Sequence, residues 1–205
     1  MRLLIVDDHP IVISACRALL AEEENLTITA AHTLAAARKA IDVECPHIVI
    51  LDINLPDGSG LSLVRELALR EAAPQIIVLS VVDAPMIALQ AIQSGAKGFV
   101  SKSGEVTELS DAVSAVAAGG VWLSDDLAQE LAFFKVRGNP SGELLSEREQ
   151  EIMRNLARGC NFQQIAKAVT VSYWTVVKEC ENLKNKFNAR SSSELIRIAV
   201  ELKLV

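Results

Sequence analysis

Ile48-Val49-Ile50-Leu51-Asp52-Ile53-Asn54-Leu55-Pro56-Asp57-Gly58-Ser59-Gly60 decides how the first half of this chain reads. Four apolar residues, three of them β-branched, run into Asp52, and a loop rich in Pro56, Asp57, Gly58 and Gly60 follows. This is the pattern of a buried parallel strand that delivers one carboxylate to the edge of a sheet. Upstream, Arg2–Val6 is an apolar run ending at Asp7-Asp8-His9-Pro10, with helical spacing from Ile11 to Glu22; a second strand over Leu26–Ala30 and a helix over Thr33–Asp42 follow. Downstream come a helix over Leu61–Arg70, a strand over Gln75–Ser80, a helix over Met86–Ser94, a strand over Gly98–Lys102 and a helix over Thr107–Ala118. Five alternations of strand and helix specify an α/β unit, a five-stranded parallel doubly wound sheet with helices on both faces.

The whole chain has 205 residues, half of them hydrophobic, which is ample for one large or two small cores. The first six residues are too short for a signal peptide, and no apolar run approaches the roughly 20 residues needed to span a bilayer, so the expected location is the cytoplasm, with no membrane partner. Cys16, Cys45, Cys160 and Cys180 form no CxxC or Cys/His cluster, so neither a zinc site nor a disulfide framework is indicated and they read as four small core residues. The net charge of −6 conceals an asymmetry: residues 1–125 hold 8 Lys+Arg against 16 Asp+Glu, and residues 144–205 hold 10 against 7. An acidic front and a mildly basic back argue for two domains with different partners.

In doubly wound sheets ligands sit outside the carboxyl ends of the strands. The polar residues at those ends are Asp7, Asp8, Asp52, Ser80 and Lys102. Clustered carboxylates repel one another unless a divalent cation sits among them, and an all-oxygen site suits Mg²⁺. A carboxylate can also attack phosphorus while a metal, a hydroxyl and an ammonium stabilise the transferring oxygens. A metal-dependent phosphohydrolase would use the same chemistry, but the short loops leave little room for a substrate pocket.

This five-residue pattern resembles the receiver domain of two-component response regulators, a flavodoxin-like fold, over residues 1–120. The resemblance implies that Asp52 accepts a phosphoryl group from a sensor histidine kinase. It implies that Asp8, Asp52 and the backbone carbonyl of Asn54 bind Mg²⁺, with Asp7 acting through water. Ser80 and Lys102 would hold the phosphoryl oxygens, and Phe99 would change rotamer with Ser80. Two positions depart from the family pattern: Val81 is bulky beside the phosphate path, and Ser103 stands where many receivers have proline.

Residues 121–143 read as a short helix over Val121–Phe134 and a polar linker over Lys135–Glu143. From Leu144 to Val205 the period is helical throughout. Ser146 and Glu149 make a capping box for a helix to Ala157; Phe162–Val169 is a short helix, Thr170-Val171 a turn, and Ser172 caps a helix to Phe187. A fourth helix spans Ser192–Leu202. Two helices joined by a tight turn within a four-helix unit read as helix-turn-helix. Leu145-Ser-Glu-Arg-Glu149, Leu156-Ala-Arg-Gly159, Gln164-Ile-Ala166 and Val171-Ser-Tyr-Trp-Thr-Val176 resemble the LuxR-type DNA-binding domain, and the two resemblances together resemble the NarL/FixJ subfamily. They imply DNA contacts from Thr175, Val177, Lys178, Glu181 and Lys184, and a homodimer paired through Leu195, Ile198 and Leu202.

The recognition helix departs from that family in carrying Val177-Lys178-Glu179 and Glu181. Between Tyr173 and Phe187 three lysines face two glutamates, a thin cationic footprint for DNA. Three readings stay open: Glu181 accepts from a cytosine amino group, Glu179 is solvated away from DNA, or the domain docks a protein. Tyr173 and Trp174 fit either a protein hot spot or packing against the domain's first helix. The expected function is a phosphorylation-dependent transcriptional regulator of promoter DNA, with a signalling adaptor as the alternative. It is not an enzyme beyond slow phosphotransfer to and hydrolysis from Asp52.

Overall fold

The structure, a computed structural model, describes residues 1–21, 25–81, 85–136, 145–187, 189–202 and 204. The chain divides into two compact units, Met1–Asp83 with Ala88–Gln129 and Ala84–Ile87 with Glu130–Val205, the main division falling after Gln129, inside a helix. The first unit runs β1 (Arg2–Val6), α1 (Pro10–Leu19), β2 (Thr27–Ala31), α2 (Leu34–Glu44), β3 (Ile48–Asp52), the short strands β4 (Asn54–Leu55) and β5 (Gly58–Ser59), α3 (Gly60–Ala68), β6 (Gln75–Ser80), α4 (Pro85–Gln93), β7 (Gly98–Ser101) and α5 (Glu108–Ala117). The helix of the division is α6 (Asp125–Val136).

The five long strands are parallel in the order β2-β1-β3-β6-β7. The order reverses between β1 and β3, so the crevice beyond their carboxyl ends is the switch point where such sheets bind ligands. Alternation along the strands sends Leu3, Ile5, Ile48, Ile50, Ile77, Leu79 and Val100 to one face, against Ile13, Cys16 and Leu20 at α1 and Leu109, Ala112, Val113 and Val116 of α5. The intervening residues Leu4, Val6, Val49, Leu51, Ile76, Val78 and Phe99 are equally buried on the other face. Both faces are covered, which is why these strands read as unbroken apolar runs.

The loop after β3 is more ordered than its Pro-Asp-Gly composition suggests. Asn54 pairs with Ser59 and Leu55 with Gly58 in a small antiparallel hairpin. Asp57 at its tip reaches the first turn of α2, accepting from Leu34 N–H at 2.8 Å and Ala35 N–H at 3.0 Å. Thr33 caps the same helix through Ala36 N–H, so α2 and the Asp52 loop are tied together.

The expected helix start, linker start and cysteine burial are each corrected. The helix expected from Val121 begins only at Asp125, because Trp122 extends along the sheet edge: its N–H donates to Lys97 O at 2.9 Å and its carbonyl accepts from Phe99 N–H at 3.2 Å. That helix then continues through residues 135 and 136, so the expected linker does not begin there, and its remainder, 137–143, lies outside the described residues together with Leu144. Of the four expected core cysteines, Cys16 and Cys180 are buried, Cys160 is half-buried, and Cys45 is exposed as the left-handed cap of α2 (φ 47°).

The second unit holds α7 (Glu147–Ala157), α8 (Phe162–Ala168), α9 (Tyr173–Lys186) and α10 (Ser192–Glu201). Ser146 and Glu149 form the expected capping box on α7, and Asn161 and Gln164 form a second on α8. Ile152, Met153, Leu156, Ile165, Val176, Cys180, Leu183, Phe187, Leu195, Ile198 and Ala199 are its buried apolar core. Thr170, at φ 56°, makes the turn between α8 and α9. Of the residues expected to pair a dimer, Leu195 and Ile198 are 0% exposed and belong to this core, and Leu202 is half-buried. The outward stripe of α10 is Ser193, Arg197 and Val200.

Candidate functional site

Asp7 follows the last residue of β1, Asp52 ends β3, Ser80 ends β6 and Lys102 follows β7, so the register brings all four to one edge of the sheet. Asp7, Asp52 and Ser80 are buried. Asp7, Asp8, His9 and Asp52 each offer a ligand atom within 4.8 Å of the others. Lys102 Nζ sits between two carboxylates, 2.5 Å from Asp52 Oδ2 and 2.7 Å from Asp7 Oδ2. Its backbone N–H donates to Ser80 O at 2.7 Å, which ties the turn after β7 to the end of β6. Asn54 N–H donates to Asp52 Oδ1 at 3.0 Å, so the backbone of Asn54 turns back over the carboxylate.

Electrostatics at this edge are unbalanced. Burial pushes the Asp52 carboxyl above its ordinary value, and hydrogen bonds from Lys102 and the Asn54 N–H offset only part of that rise. Burial acts on Lys102 in the opposite direction, but the Asp52 and Asp7 carboxylates beside it win and hold it above its ordinary value, as an ammonium. Asp7 and Asp52 thus share one ammonium, and Asp8 adds a third carboxyl group to the cluster. Neither Asp7 Oδ2 nor Asp8 Oδ1 meets hydrogen-bond geometry, although Lys102 Nζ and His9 Nδ1 lie at 2.7 and 2.8 Å. Buried oxygens left in this condition, with an excess of negative charge, fit a divalent cation among oxygen donors.

His9 was not expected in this cluster. Its backbone N–H donates to Asp7 Oδ1 at 2.8 Å and its ring nitrogen Nδ1 lies 2.8 Å from Asp8 Oδ1. Its position directly after Asp7-Asp8 was the available signal. Gly60 also serves the site: a Cβ there would stand 2.2 Å from the Asp52 carbonyl oxygen, so α3 starts in direct backbone contact with the residue that carries the carboxylate. Phe99 is 1% exposed and packed inward, beside Val78 in the register. Val81 is exposed at the rim.

In the second unit, α9 follows the turn from α8 and buries Val176, Cys180 and Leu183. Of the expected DNA-contact residues, Lys178 and Glu181 are exposed, while Thr175, Val177 and Lys184 are half-buried. The Thr175 and Ser172 hydroxyls share a 2.8 Å hydrogen bond at the cap. Lys184 pairs with Glu181 at 3.2 Å, and Lys186 reaches both Glu149 oxygens at 3.1 Å. Lys178 is the α9 lysine that makes no ion pair among the described residues. Trp174 is 75% exposed, which rules out packing against α7.

The family model for the response regulator receiver domain matches residues 3–114, and that for bacterial regulatory proteins of the luxR family matches residues 143–199. The transcriptional activator protein ExaE of Pseudomonas putida is 34% identical over 212 residues, covering 100% of this chain and 98% of its own length. The transcriptional regulatory protein UhpA of Escherichia coli K12 is 36% identical over 197 residues, 94% of each chain. A structure of the response regulator RcsB in complex with DNA aligns with TM-score 0.77 at 25% identity, over 100% of this chain and 98% of the other.

Proposed function

The chain belongs to the response regulators that join a receiver domain to a LuxR-type DNA-binding domain, and from that premise we propose that phosphoryl transfer to Asp52 controls its binding to promoter DNA. The observation that carries the input half is the Lys102 ammonium held at 2.5 Å from Asp52 and 2.7 Å from Asp7, in a crevice that still has two carboxyl groups in excess. Asp8, Asp52 and the Asn54 carbonyl are the residues that would hold Mg²⁺, with Asp7 acting through water. The ion, when bound, neutralises charge on the transferring phosphoryl oxygens.

An Asp52 carboxylate oxygen forms a bond to phosphorus as the phosphorus–nitrogen bond of a kinase phosphohistidine breaks. The imidazole leaves and takes up a proton, and Asp52 becomes an acyl phosphate. Lys102, already an ammonium beside Asp52, is placed to neutralise the new phosphoryl oxygens, and Ser80 ends the neighbouring strand as a hydroxyl donor. Slow hydrolysis of this acyl phosphate is the only turnover involved. Phe99 and Ser80 together give the sheet edge a pair of buried side chains that can answer to the phosphoryl group.

The output half is the helix-turn-helix formed by α8 and α9, with α9 in the major groove. Similarity to proteins named as transcriptional regulators supports promoter DNA over a protein-docking adaptor. Lys178 is the cation of α9 free to meet phosphate or guanine, and Glu181 can accept from cytosine once Lys184 turns to the backbone. Dimerisation on DNA uses the outward stripe of α10. The input half is tested by mass spectrometry of the intact chain after Mg²⁺ and a small phosphodonor: one hydroxylamine-labile phosphoryl group is expected on the natural sequence and none on Asp52→Asn. Equal labelling of Asp52→Asn would remove Asp52 from this role.

A further inference from the structure

Trp174 has no partner in the core and no role in the cap. It is the second residue of α9, 75% exposed, and Tyr173 packs edge-on against it with centroids 5.4 Å apart and planes at 82°. Tyr173 is backed in turn by Phe162, the first residue of α8, at 6.3 Å. Two rings from the start of each helix therefore brace a third that faces solvent. Trp174, Lys178, Glu181, Asn182 and Asn185 are all exposed. At about 100° per residue they fall within an arc of about 100°, opposite the buried Val176, Cys180 and Leu183.

We infer that Trp174 is a specificity residue that packs its indole against the methyl group of a thymine in the major groove. The inference rests on the reading of α9 as the DNA-recognition helix, whose N-terminal residues are those that reach base edges. Indole offers one donor and no acceptor, so it cannot make the paired hydrogen bonds by which Arg, Asn or Gln read a base. The apolar group that the major groove presents is the thymine C5-methyl. A ring held in place by Tyr173 and Phe162 meets it with little ordering cost. Lys178, one turn further on, supplies the phosphate or guanine contact beside it.

The test begins by selecting bound sequences from random DNA with the full chain. Each thymine of the selected duplex is then replaced by uracil, which removes only the methyl group, and affinities are measured by fluorescence anisotropy at fixed salt. One thymine position per half-site should lose about fourfold on replacement, the transfer value of one methyl group. Trp174→Ala should lose about tenfold on the selected duplex and show no further loss on uracil replacement, whereas Trp174→Phe should retain the difference. Trp174 is exposed, so these variants fold, and circular dichroism checks it. A selected site indifferent to uracil everywhere, or lacking thymine, overturns the inference. So does a Trp174→Ala loss that is equal on selected and random duplexes, which would mark a backbone contact or a protein-docking residue. If the natural chain selects no sequence at all, the DNA-binding reading itself fails, a result distinct from selection without methyl dependence.

Discussion

Replacing Gly60 by alanine tests whether backbone packing sets the position of Asp52. A Cβ at residue 60 would lie 2.2 Å from the Asp52 carbonyl oxygen, 3.1 Å from its carbonyl carbon and 3.1 Å from Leu51 Cγ. Relief requires a shift of about 1 Å, since tolerable carbon–oxygen contacts begin near the van der Waals separation of roughly 3.2 Å. The obstacle is backbone rather than a flexible side chain. Gly60 N–H is bonded to Ile53 O at 2.7 Å, and Asp52 is paired with Leu79 in β6, so α3 cannot move without pulling on the end of β3. Overpacking costs about 1–3 kcal/mol, offset by about 0.5–1 kcal/mol from replacing a helical glycine. A net loss of about 1 kcal/mol lowers the thermal midpoint of the first unit by roughly 3–6 °C. The chain has two tryptophans, so a Trp174→Phe background leaves Trp122, packed on the first unit's core, to report this transition alone. The same displacement pulls Asp52 from Lys102 and slows phosphoryl acceptance. Gly60→Ala that unfolds within about 0.5 kcal/mol of its background and labels normally would refute the reasoning.

Three further outcomes follow from the site and the cores. Lys102→Met removes the ammonium between Asp52 and Asp7; Mg²⁺ binding followed by calorimetry should persist or tighten, while the rate of phosphoryl acceptance falls on the order of 100-fold, and an unchanged rate would contradict the placement of Lys102. Burial alone would raise the Glu149 carboxyl, but the Ser146 N–H and Lys186 outweigh it and hold it below its ordinary 4.5. Its stabilising contribution is therefore complete above pH 4.5 and is lost as pH falls through the lower folded value. Glu149→Gln should cost about 1 kcal/mol at pH 7 and nothing in strong acid, and a pH-independent cost in urea titrations would contradict that. The thiols of Cys16 and Cys180, pushed up to about 11 chiefly by burial, should react with Ellman's reagent only on unfolding, whereas exposed Cys45 reacts at once. A single common rate would contradict this order.

The parallel sheet was legible because its strands are buried on both faces and so appear as apolar runs that stop at polar residues. Asp7, Asp52 and Ser80 were legible for the same reason, each being the first polar group beyond a run, and Lys102 stands one residue further on, after Ser101. The capping box at Ser146 and Glu149 showed in its spacing, and the one at Asn161 and Gln164 carried the same signal. Contacts across long separations left no local trace. The reach of Asp57 to α2, 23 residues away, and the docking of Trp122 on the edge of β7 depend on tertiary placement. Leu195 and Ile198 illustrate a different limit: an apolar stripe on a helix reads alike whether it faces its own core or a second copy, and here α10 faces inward. The acidity of α9 also changes meaning in three dimensions, because Glu181 and Glu149 each engage a lysine of that helix.

The central claim is that the phosphoryl state of Asp52 governs sequence-selective DNA binding by α9. Its most direct test is the affinity of the full chain for a selected duplex and for a random one, titrated against salt, before and after Mg²⁺ and a small phosphodonor. The expected result is a phosphorylation-dependent gain on the selected duplex that is absent from Asp52→Asn, with affinity falling steeply as salt rises. Equal affinity for the two duplexes in both phosphoryl states would contradict it.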